Sequence, residues 1–187
     1  LNPTRSSKVL LLEDGLPLTF APYGDNASYF HPPIERFERI EVLKGSGQVA
    51  FGPQTVGGVI NYISPALPDE FSGALALRAG DRGIRDYQLR LADRSGRTDT
   101  GWSASLVKKT SDGTRENMRL DAEDLALRLE QPLGAARALT LRASLYREDS
   151  QVPYSGLTRA EYAADPLANA FRNDRFELQR WAFAATL

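Results

Sequence analysis

The residues with the clearest potential for chemistry lie in one glycine-rich stretch, which reads RIEVLKGSGQVAFGPQTVGGVINYISP over Arg39–Pro65. Its first residues have the apolar pattern of a strand, and Gly45, Gly47 and Ala50 fit the G-x-G-x-x-G/A fingerprint of dinucleotide-binding proteins. In such proteins the glycines let the backbone approach a pyrophosphate at the amino end of a helix. The stretch therefore raises two hypotheses, a phosphate-binding loop or two strands joined by a glycine-rich connection.

The residues after the fingerprint disfavour phosphate binding. Gly52 and Pro53 arrive within the first turn and a half of the required helix and would break it. No Gly-Lys-Ser/Thr sequence ends the run, so the pattern of a Walker loop is absent as well. Glycine permits positive φ and close backbone approach, which favours two strands, IEVLKG and GGVINYIS, with the glycines between them.

Composition excludes several other kinds of site. The 187 residues contain no cysteine, so neither a disulfide nor a thiolate metal site can form within this sequence. The one histidine, His31, precedes two prolines, which fits a surface turn better than a catalytic triad. The net charge of −1 lacks the basic excess of a nucleic-acid binder, so we expect no nucleic-acid partner.

The first third of the sequence predicts a small mixed sheet with long loops. Glycine and proline punctuate short apolar runs before about residue 70, and Asp14–Gly15 follows the run Lys8–Leu12 as a hairpin signal. One long loop is expected at Thr19–Ser28. The sequence opens without methionine, shows no signal peptide and has no run of about 18 apolar residues, so we expect a piece of a longer chain without a transmembrane helix.

After residue 70 the apolar residues recur at every second position, the period of a half-buried strand. Six segments show this alternation: FSGALALRA, YQLRL, WSASL, LALRLE, LTLRASLY and WAFAATL. The pattern is weakest at Ala135–Leu145, where a helix stays open as an alternative. On the face opposite the leucines, four strands carry mid-strand arginines: Arg78, Arg90, Arg128 and Arg142.

Periodicity alone leaves a soluble sandwich and an outer-membrane barrel equally open, and the connections favour the barrel. Tight or short connections are expected at Gly80–Asp86, Ala92–Gly101 and Gln131–Ala138. Longer ones are expected at Thr110–Glu123, about 14 residues, and at Arg147–Arg175. The long connections therefore fall at one end of the strands and the shorter ones at the other, as in transmembrane barrels. The tight connection Gly80–Asp86 is the exception, since it lies at the end with the long ones.

The longest connection contains a helix start signal in the segment LTRAEYAADPL. Thr158 and Glu161 have the spacing of a capping box, in which each side chain binds the other residue's backbone amide. Asp165–Pro166 should end this short helix.

The glycine-rich stretch also resembles the second half of the plug domain of TonB-dependent outer-membrane receptors. In that family a strand IEV.(K/R)G leads to (Y/F)G…GGVIN, which closes the plug just before the barrel. The upstream segment VLLLEDGLPLTFAPYGD resembles the family's V…DG.P strand and the apical loop after it. Three segments, APYG, GPQTVGGVINYI and GLTRAEYAADP, are similar to those of ferric citrate receptors, whereas DNASYFHPP departs from the pattern.

This resemblance implies a mainly β chain: the C-terminal part of a mixed α+β plug domain over residues 1–66, then strands of a barrel over 67–187. The barrel strands would be the first six, all antiparallel, of a 22-stranded transmembrane β-barrel. The TonB box, the early plug and most barrel strands would lie outside this sequence. The implied partners are a ferric siderophore or ferric citrate, the TonB–ExbB–ExbD energy-transducing complex, and outer-membrane lipid.

The resemblance also implies functional residues. Ligand-binding residues of the apical plug loop and the second loop would be Thr19, Tyr23, Gly24, Asp25, Asn26 and Gln54. The structural plug motif corresponds to Gly45, Gly47, Gly52, Gly57, Gly58 and Asn61. Hydroxyl and amide groups can donate to the oxygens of a chelate, although the same groups commonly cap turns.

Three functions remain as alternatives. A gated receptor makes and breaks no covalent bond, so it is not an enzyme and needs no cofactor beyond the chelate it transports. An ungated porin or adhesin barrel would share the strands but has no use for the glycine-rich first third. A nucleotide-binding enzyme requires that Gly45, Gly47 and Ala50 form a dinucleotide-binding loop. Within the receptor hypothesis, another siderophore, haem or cobalamin could replace ferric citrate.

Overall fold

The computed structural model describes residues 9–18, 30–45, 51, 55, 57–152 and 156–187. The chain forms two compact units, Leu1–Ala66 and Leu67–Leu187. The described residues are mainly β, as predicted. Among them, no helix combines the length and the apolar character needed to cross a membrane.

The first unit contains a small mixed sheet, which confirms the prediction. Its strands are β1 (Val9–Glu13), β2 (Leu16–Pro17), β3 (Arg39–Leu43) and β4 (Gly58–Ile63), with a 3-10 turn at Ile34–Arg36. The strand order is β2-β1-β4-β3. β1 and β4 run parallel, while β2 and β3 pair antiparallel with their neighbours.

The predicted hairpin lies between β1 and β2. Asp14 and Gly15 both have positive φ, 49° and 81°, the conformation that a two-residue turn of the primed type requires. The turn is also held to the end of the neighbouring strand β4, since the Asp14 carboxylate accepts a hydrogen bond from the Ser64 amide at 2.8 Å.

The core of this unit forms around the parallel pair. Leu10, Leu12 and Val59 are fully buried and pack together, with Phe51 against them. Arg36 in the 3-10 turn is also buried, where its guanidinium pairs with the Glu13 carboxylate and stacks 4.9 Å from the centre of the Phe37 ring. A buried charge is tolerated only with such partners, so the pair fixes the turn against β1.

The second unit is one antiparallel sheet in which each strand pairs with the next along the chain. Its strands are β5 (Ser72–Ala79), β6 (Arg85–Arg94), β7 (Gly101–Ser111), β8 (Leu120–Pro132), β9 (Ala138–Gln151) and β10 (Arg175–Thr186). All six predicted strands are present, and the helix considered for Ala135–Leu145 is absent because β9 covers most of it.

The predicted connections were too long. The connection between β7 and β8 spans only 112–119, and the one between β9 and β10 spans 152–174. Two acidic residues that were assigned to a loop, Asp121 and Glu123, lie within β8 instead. Lys108 on β7 donates to Glu123 at 2.8 Å and also pairs with Asp121. Opposite charges on facing strands stabilise the sheet, which the sequence pattern of one strand cannot show.

The register brings the leucines into continuous rows across the sheet. One row crosses all six strands and consists of Leu75, Leu89, Leu106, Leu125, Leu145 and Trp181. The row is open to its surroundings, with Leu75 67% and Trp181 63% exposed. The neighbouring row on the opposite face consists of small or polar residues: Ala74, Arg90, Ser105, Ala126, Ser144 and Ala182. The sheet therefore has one exposed apolar face and one polar face.

Candidate functional site

The predicted ligand-binding residues lie outside the described residues. This group comprises Thr19, Tyr23, Gly24, Asp25, Asn26 and Gln54, and two glycines of the predicted plug motif, Gly47 and Gly52, lie outside as well. The described members of that motif are Gly45, Gly57, Gly58 and Asn61. The roles of all these residues in a site stay predictions. Only the four described motif residues can be placed in the fold.

The strands that flank the glycine-rich stretch run antiparallel. β3 and β4 pair from Arg39 opposite Ile63 to Leu43 opposite Val59. A dinucleotide-binding unit requires a parallel strand reached through a crossover helix, so this pairing contradicts the phosphate-binding hypothesis and confirms the two-strand alternative.

Gly58 opens β4 under two constraints that only glycine meets. Its φ is +127°, and a Cβ at this position would lie 2.6 Å from the carbonyl oxygen of Leu43. Gly45, at the end of β3, also has a positive φ of +89°, but a Cβ there would meet open space. Gly45 and Gly58 thus occupy backbone conformations that favour glycine, and the role of the motif as a whole stays a prediction.

Asn61 links β4 to β3 and to the turn between β1 and β2. Its Oδ1 accepts a hydrogen bond from the Gly15 amide at 3.0 Å, and its Nδ2 donates to Glu41 Oε2 at 3.5 Å. Glu41 also pairs with Arg39 at 3.0 Å. A side-chain amide can serve both the hairpin turn and β3 because it carries a donor and an acceptor.

His31 makes a polar contact within the first unit. Its Nδ1 lies 3.0 Å from the Tyr62 hydroxyl, and the Tyr62 ring packs 5.2 Å from the ring of Phe37. Burial lowers the pKa of His31 and raises the pKa of Tyr62, because each charged form is poorly solvated there. Both groups are therefore neutral at pH 7, as expected for a packing contact. Among the residues described, no cluster of His, Asp and Glu is arranged to hold a metal ion.

The capping box in the longest connection is present as predicted. Helix α1 (Arg159–Ala164) begins after Thr158, whose hydroxyl accepts from the Glu161 amide at 3.3 Å. The Glu161 carboxylate in turn accepts from the Thr158 amide at 2.7 Å, and this hydrogen bond lowers the pKa of Glu161. The helix ends at Ala164 with Asp165 as its C-cap, as the sequence indicates.

The lowered pKa of Glu161 makes the start of α1 sensitive to acid. The ionised Glu161 carboxylate stabilises the start of the helix fully at pH values above the ordinary pKa of a glutamate. This stabilisation is lost as the pH falls through the lowered pKa of Glu161 in the folded protein. We expect hydrogen exchange of the 156–166 segment, corrected for intrinsic rates, to rise between pH 7 and about pH 3. A Glu161→Gln variant keeps an acceptor without titrating, so its exchange should stay constant; an equal rise in both proteins would contradict the assignment.

Comparison with known proteins adds three findings. Residues 2–59 match the family described as TonB-dependent receptor plug domain. The vitamin B12 transporter BtuB of Vibrio vulnificus is 36% identical over 119 residues, which is 64% of this chain and 18% of the transporter. The chain thus spans under a fifth of the length of the curated relatives that it matches.

Solved receptor structures share the fold. The pyoverdine outer membrane receptor FpvA of Pseudomonas aeruginosa, bound to pyoverdine, aligns with 75% of this chain and 20% of its own, at a TM-score of 0.65 and 22% identity. The ferric-catecholate import receptor Fiu of E. coli K12 aligns with 85% of this chain and 24% of its own, at a TM-score of 0.66 and 19% identity. Residues 2–59 are thus similar to a TonB-dependent receptor plug domain, and the chain shares its fold with part of these solved receptors.

Proposed function

We propose that the protein is a TonB-dependent receptor of the bacterial outer membrane that binds an extracellular ferric chelate and imports it into the periplasm. The cargo that we favour is ferric citrate. The observation that carries the proposal is the exposed apolar face of the six-stranded sheet, in a chain whose first third matches a plug domain.

The apolar face is the expected contact with lipid. A barrel in a membrane presents apolar residues outward and polar residues to a wet interior, and its strands alternate accordingly. The leucine row and the row of small and polar residues differ in this way. In water the same leucine row would be an unusually large exposed apolar surface, because soluble monomers rarely expose contiguous patches beyond a few hundred Å².

The proposed transport step needs no covalent chemistry. The plug blocks the barrel, and the TonB–ExbB–ExbD complex of the inner membrane supplies the force that opens a path. The protein is accordingly proposed to be a transporter without enzymatic activity and without a resident cofactor. Ligand contacts are proposed for the apical and second plug loops, through Thr19, Tyr23, Gly24, Asp25, Asn26 and Gln54.

The choice of cargo rests on sequence similarity. Ferric citrate is favoured by the segments APYG, GPQTVGGVINYI and GLTRAEYAADP. Cobalamin is the second candidate, because the curated relatives are vitamin B12 transporters that are 30% and 36% identical to this chain over the aligned residues.

Growth under iron limitation tests the cargo. A strain that lacks the complete gene should lose growth on ferric citrate and keep growth on ferric pyoverdine or a ferric catecholate, and the restored gene should reverse the loss. Cobalamin-dependent growth, measured separately, should be unchanged. Loss of cobalamin-dependent growth alone would replace ferric citrate with the second candidate, and loss on another chelate would replace it with that chelate.

A plug deletion separates the receptor from an ungated porin. Removing residues 1–65 from the complete receptor should convert it into an open, unselective pore, measured as increased entry of a large antibiotic into intact cells. If the protein is an ungated porin, antibiotic entry should be the same with and without residues 1–65.

A further inference from the structure

Three connections lie at one end of the antiparallel sheet, because successive connections alternate between its ends. They span 80–84, 112–119 and 152–174. The first two are joined, since the Arg82 guanidinium donates to the Thr114 carbonyl at 2.8 Å and the Asp112 amide donates to the Arg82 carbonyl at 2.8 Å.

The second and third connections are joined more extensively. The Arg115 guanidinium donates twice to the Ala168 carbonyl, from Nε at 3.1 Å and from Nη2 at 2.8 Å. Asn117 Nδ2 donates to the carbonyls of Phe171 and Asp174, at 2.8 and 2.9 Å. These contacts join residues more than 50 positions apart in the sequence.

Asn169 completes the junction from the opposite side. Its side chain is buried, with 2% of the residue exposed, although it lies in a connection. Its Nδ2 donates to the Glu116 carbonyl at 3.0 Å, and its Oδ1 accepts from the Phe171 amide at 2.9 Å. We call the set of Arg115, Asn117 and Asn169 with these backbone partners the loop clasp.

The 112–119 connection is shaped for this contact. Gly113 has a φ of +83°, and a Cβ there would lie 2.4 Å from Met118 atoms, including the backbone oxygen. Asn117 has a φ of +54°, a left-handed conformation that asparagine adopts more readily than most residues. The connection is therefore bent tightly, and the Arg115 and Asn117 side chains and the Glu116 carbonyl contact the third connection.

We propose that the loop clasp positions the 156–174 segment, which includes helix α1, for capture of the cargo, with Arg115 and Asn169 as positioning residues. This inference rests on the proposed function, in which this end of the sheet surrounds the extracellular mouth. Connections longer than about 12–15 residues are commonly functional. A segment that is already ordered loses less conformational entropy on binding, so the clasp should increase the affinity for the cargo.

The test uses the complete receptor in the outer membrane, with Arg115→Ala and Asn169→Ala as variants. Arg172→Ala is the matched control, because the Arg172 side chain is 71% exposed and its ion pair with Glu116, at 3.1 Å, lies at the surface. Uptake of radioactive ferric citrate, normalised to receptor number, gives KM and Vmax. Hydrogen exchange over 156–174 reports the order of the connection.

We expect each clasp variant to raise KM about tenfold at unchanged Vmax and to accelerate exchange over 156–174, while Arg172→Ala changes neither. A rescue variant adds Glu116→Cys and Leu167→Cys to Asn169→Ala, at positions whose backbones are hydrogen-bonded at 2.9 Å. Oxidation should restore KM, and reduction should raise it again.

The outcomes separate the inference from the proposed function. Faster exchange with unchanged KM, unchanged exchange in both variants, or an equal KM effect in Arg172→Ala would overturn the positioning role while leaving transport in place. The unaltered receptor is also tested with ferric pyoverdine and cyanocobalamin, and KM is then measured with whichever probe it takes up. Uptake of none of the three probes would refute the proposed function and the inference with it.

Discussion

Replacing Leu125 with arginine is expected to remove most of the receptor from the outer membrane. Leu125 lies in the middle of the row of apolar residues that crosses all six strands, and it is 38% exposed in the sheet. An arginine on the lipid face destabilises a barrel by up to about 2–4 kcal/mol, and by less where the site lies nearer the membrane surface. The measurement is the amount of folded receptor in outer-membrane fractions. Electrophoresis of unheated samples in the cold separates the receptor that is still folded from the receptor that is unfolded.

The matched control is Ala126→Arg, one residue further along the same strand on the polar face. Its row already contains Arg90, and the face carries Arg128 and Arg142 opposite each other. We expect the control to assemble at close to the normal level. Equal loss from both substitutions, or normal assembly of Leu125→Arg, would contradict the assignment of the faces.

Gly58→Ala is expected to destabilise the first unit by about 2–3 kcal/mol, in the range of a strained backbone conformation. The new Cβ would have to lie 2.6 Å from the Leu43 carbonyl oxygen at a φ of +127°. Either β4 would move away from β3, or φ would change and the register would be lost. Hydrogen exchange of the amides of Arg39–Leu43 and Gly58–Ile63 in the purified complete receptor measures this effect.

Gly45→Ala separates the two causes. Gly45 shares the positive φ but has no atom within 4 Å of the added Cβ, so only the conformational strain should appear. We expect a loss of about 1 kcal/mol there. A larger effect at Gly45 than at Gly58 would show that the close approach to Leu43 is not the dominant constraint.

The strands could be predicted from the sequence because their signals are local. Alternation such as Trp102, Ala104 and Leu106 identifies a strand and assigns its faces without knowledge of any neighbour. The Asp14–Gly15 turn and the Thr158–Glu161 capping box were recognised for the same reason, since each depends on residues at most three positions apart.

The ends of the strands could not be predicted in this way. Lys108, Asp121 and Glu123 are polar and resemble loop residues, but they lie in strands because they face one another across β7 and β8. The loop clasp was missed because Arg115 and Asn169 are ordinary loop residues in the sequence. Their role depends on backbone carbonyls that only the folded sheet brings near.

For the candidate site, the sequence explained the motif residues better than it identified the cargo. Gly58 lies in a backbone conformation that favours glycine, and Asn61 hydrogen-bonds within the first unit, while their assignment to a plug motif stays a prediction. The cargo depends on loop side chains and on how they converge around a ligand. Spacing in the sequence does not encode that convergence.

Site-directed labelling along β8 tests most directly the claim that the leucine face contacts lipid. These 187 residues contain no cysteine, so once any cysteine elsewhere in the receptor is replaced, single cysteine substitutions can each carry a nitroxide label at Asp124, Leu125, Ala126, Leu127 and Arg128. In the complete receptor in lipid vesicles, we expect oxygen, which concentrates in lipid, to reach labels at 125 and 127 more readily than those at 124, 126 and 128. Labels at 125 and 127 that neither oxygen nor a water-soluble relaxation agent reaches would place the leucines in a protein interior and contradict the account.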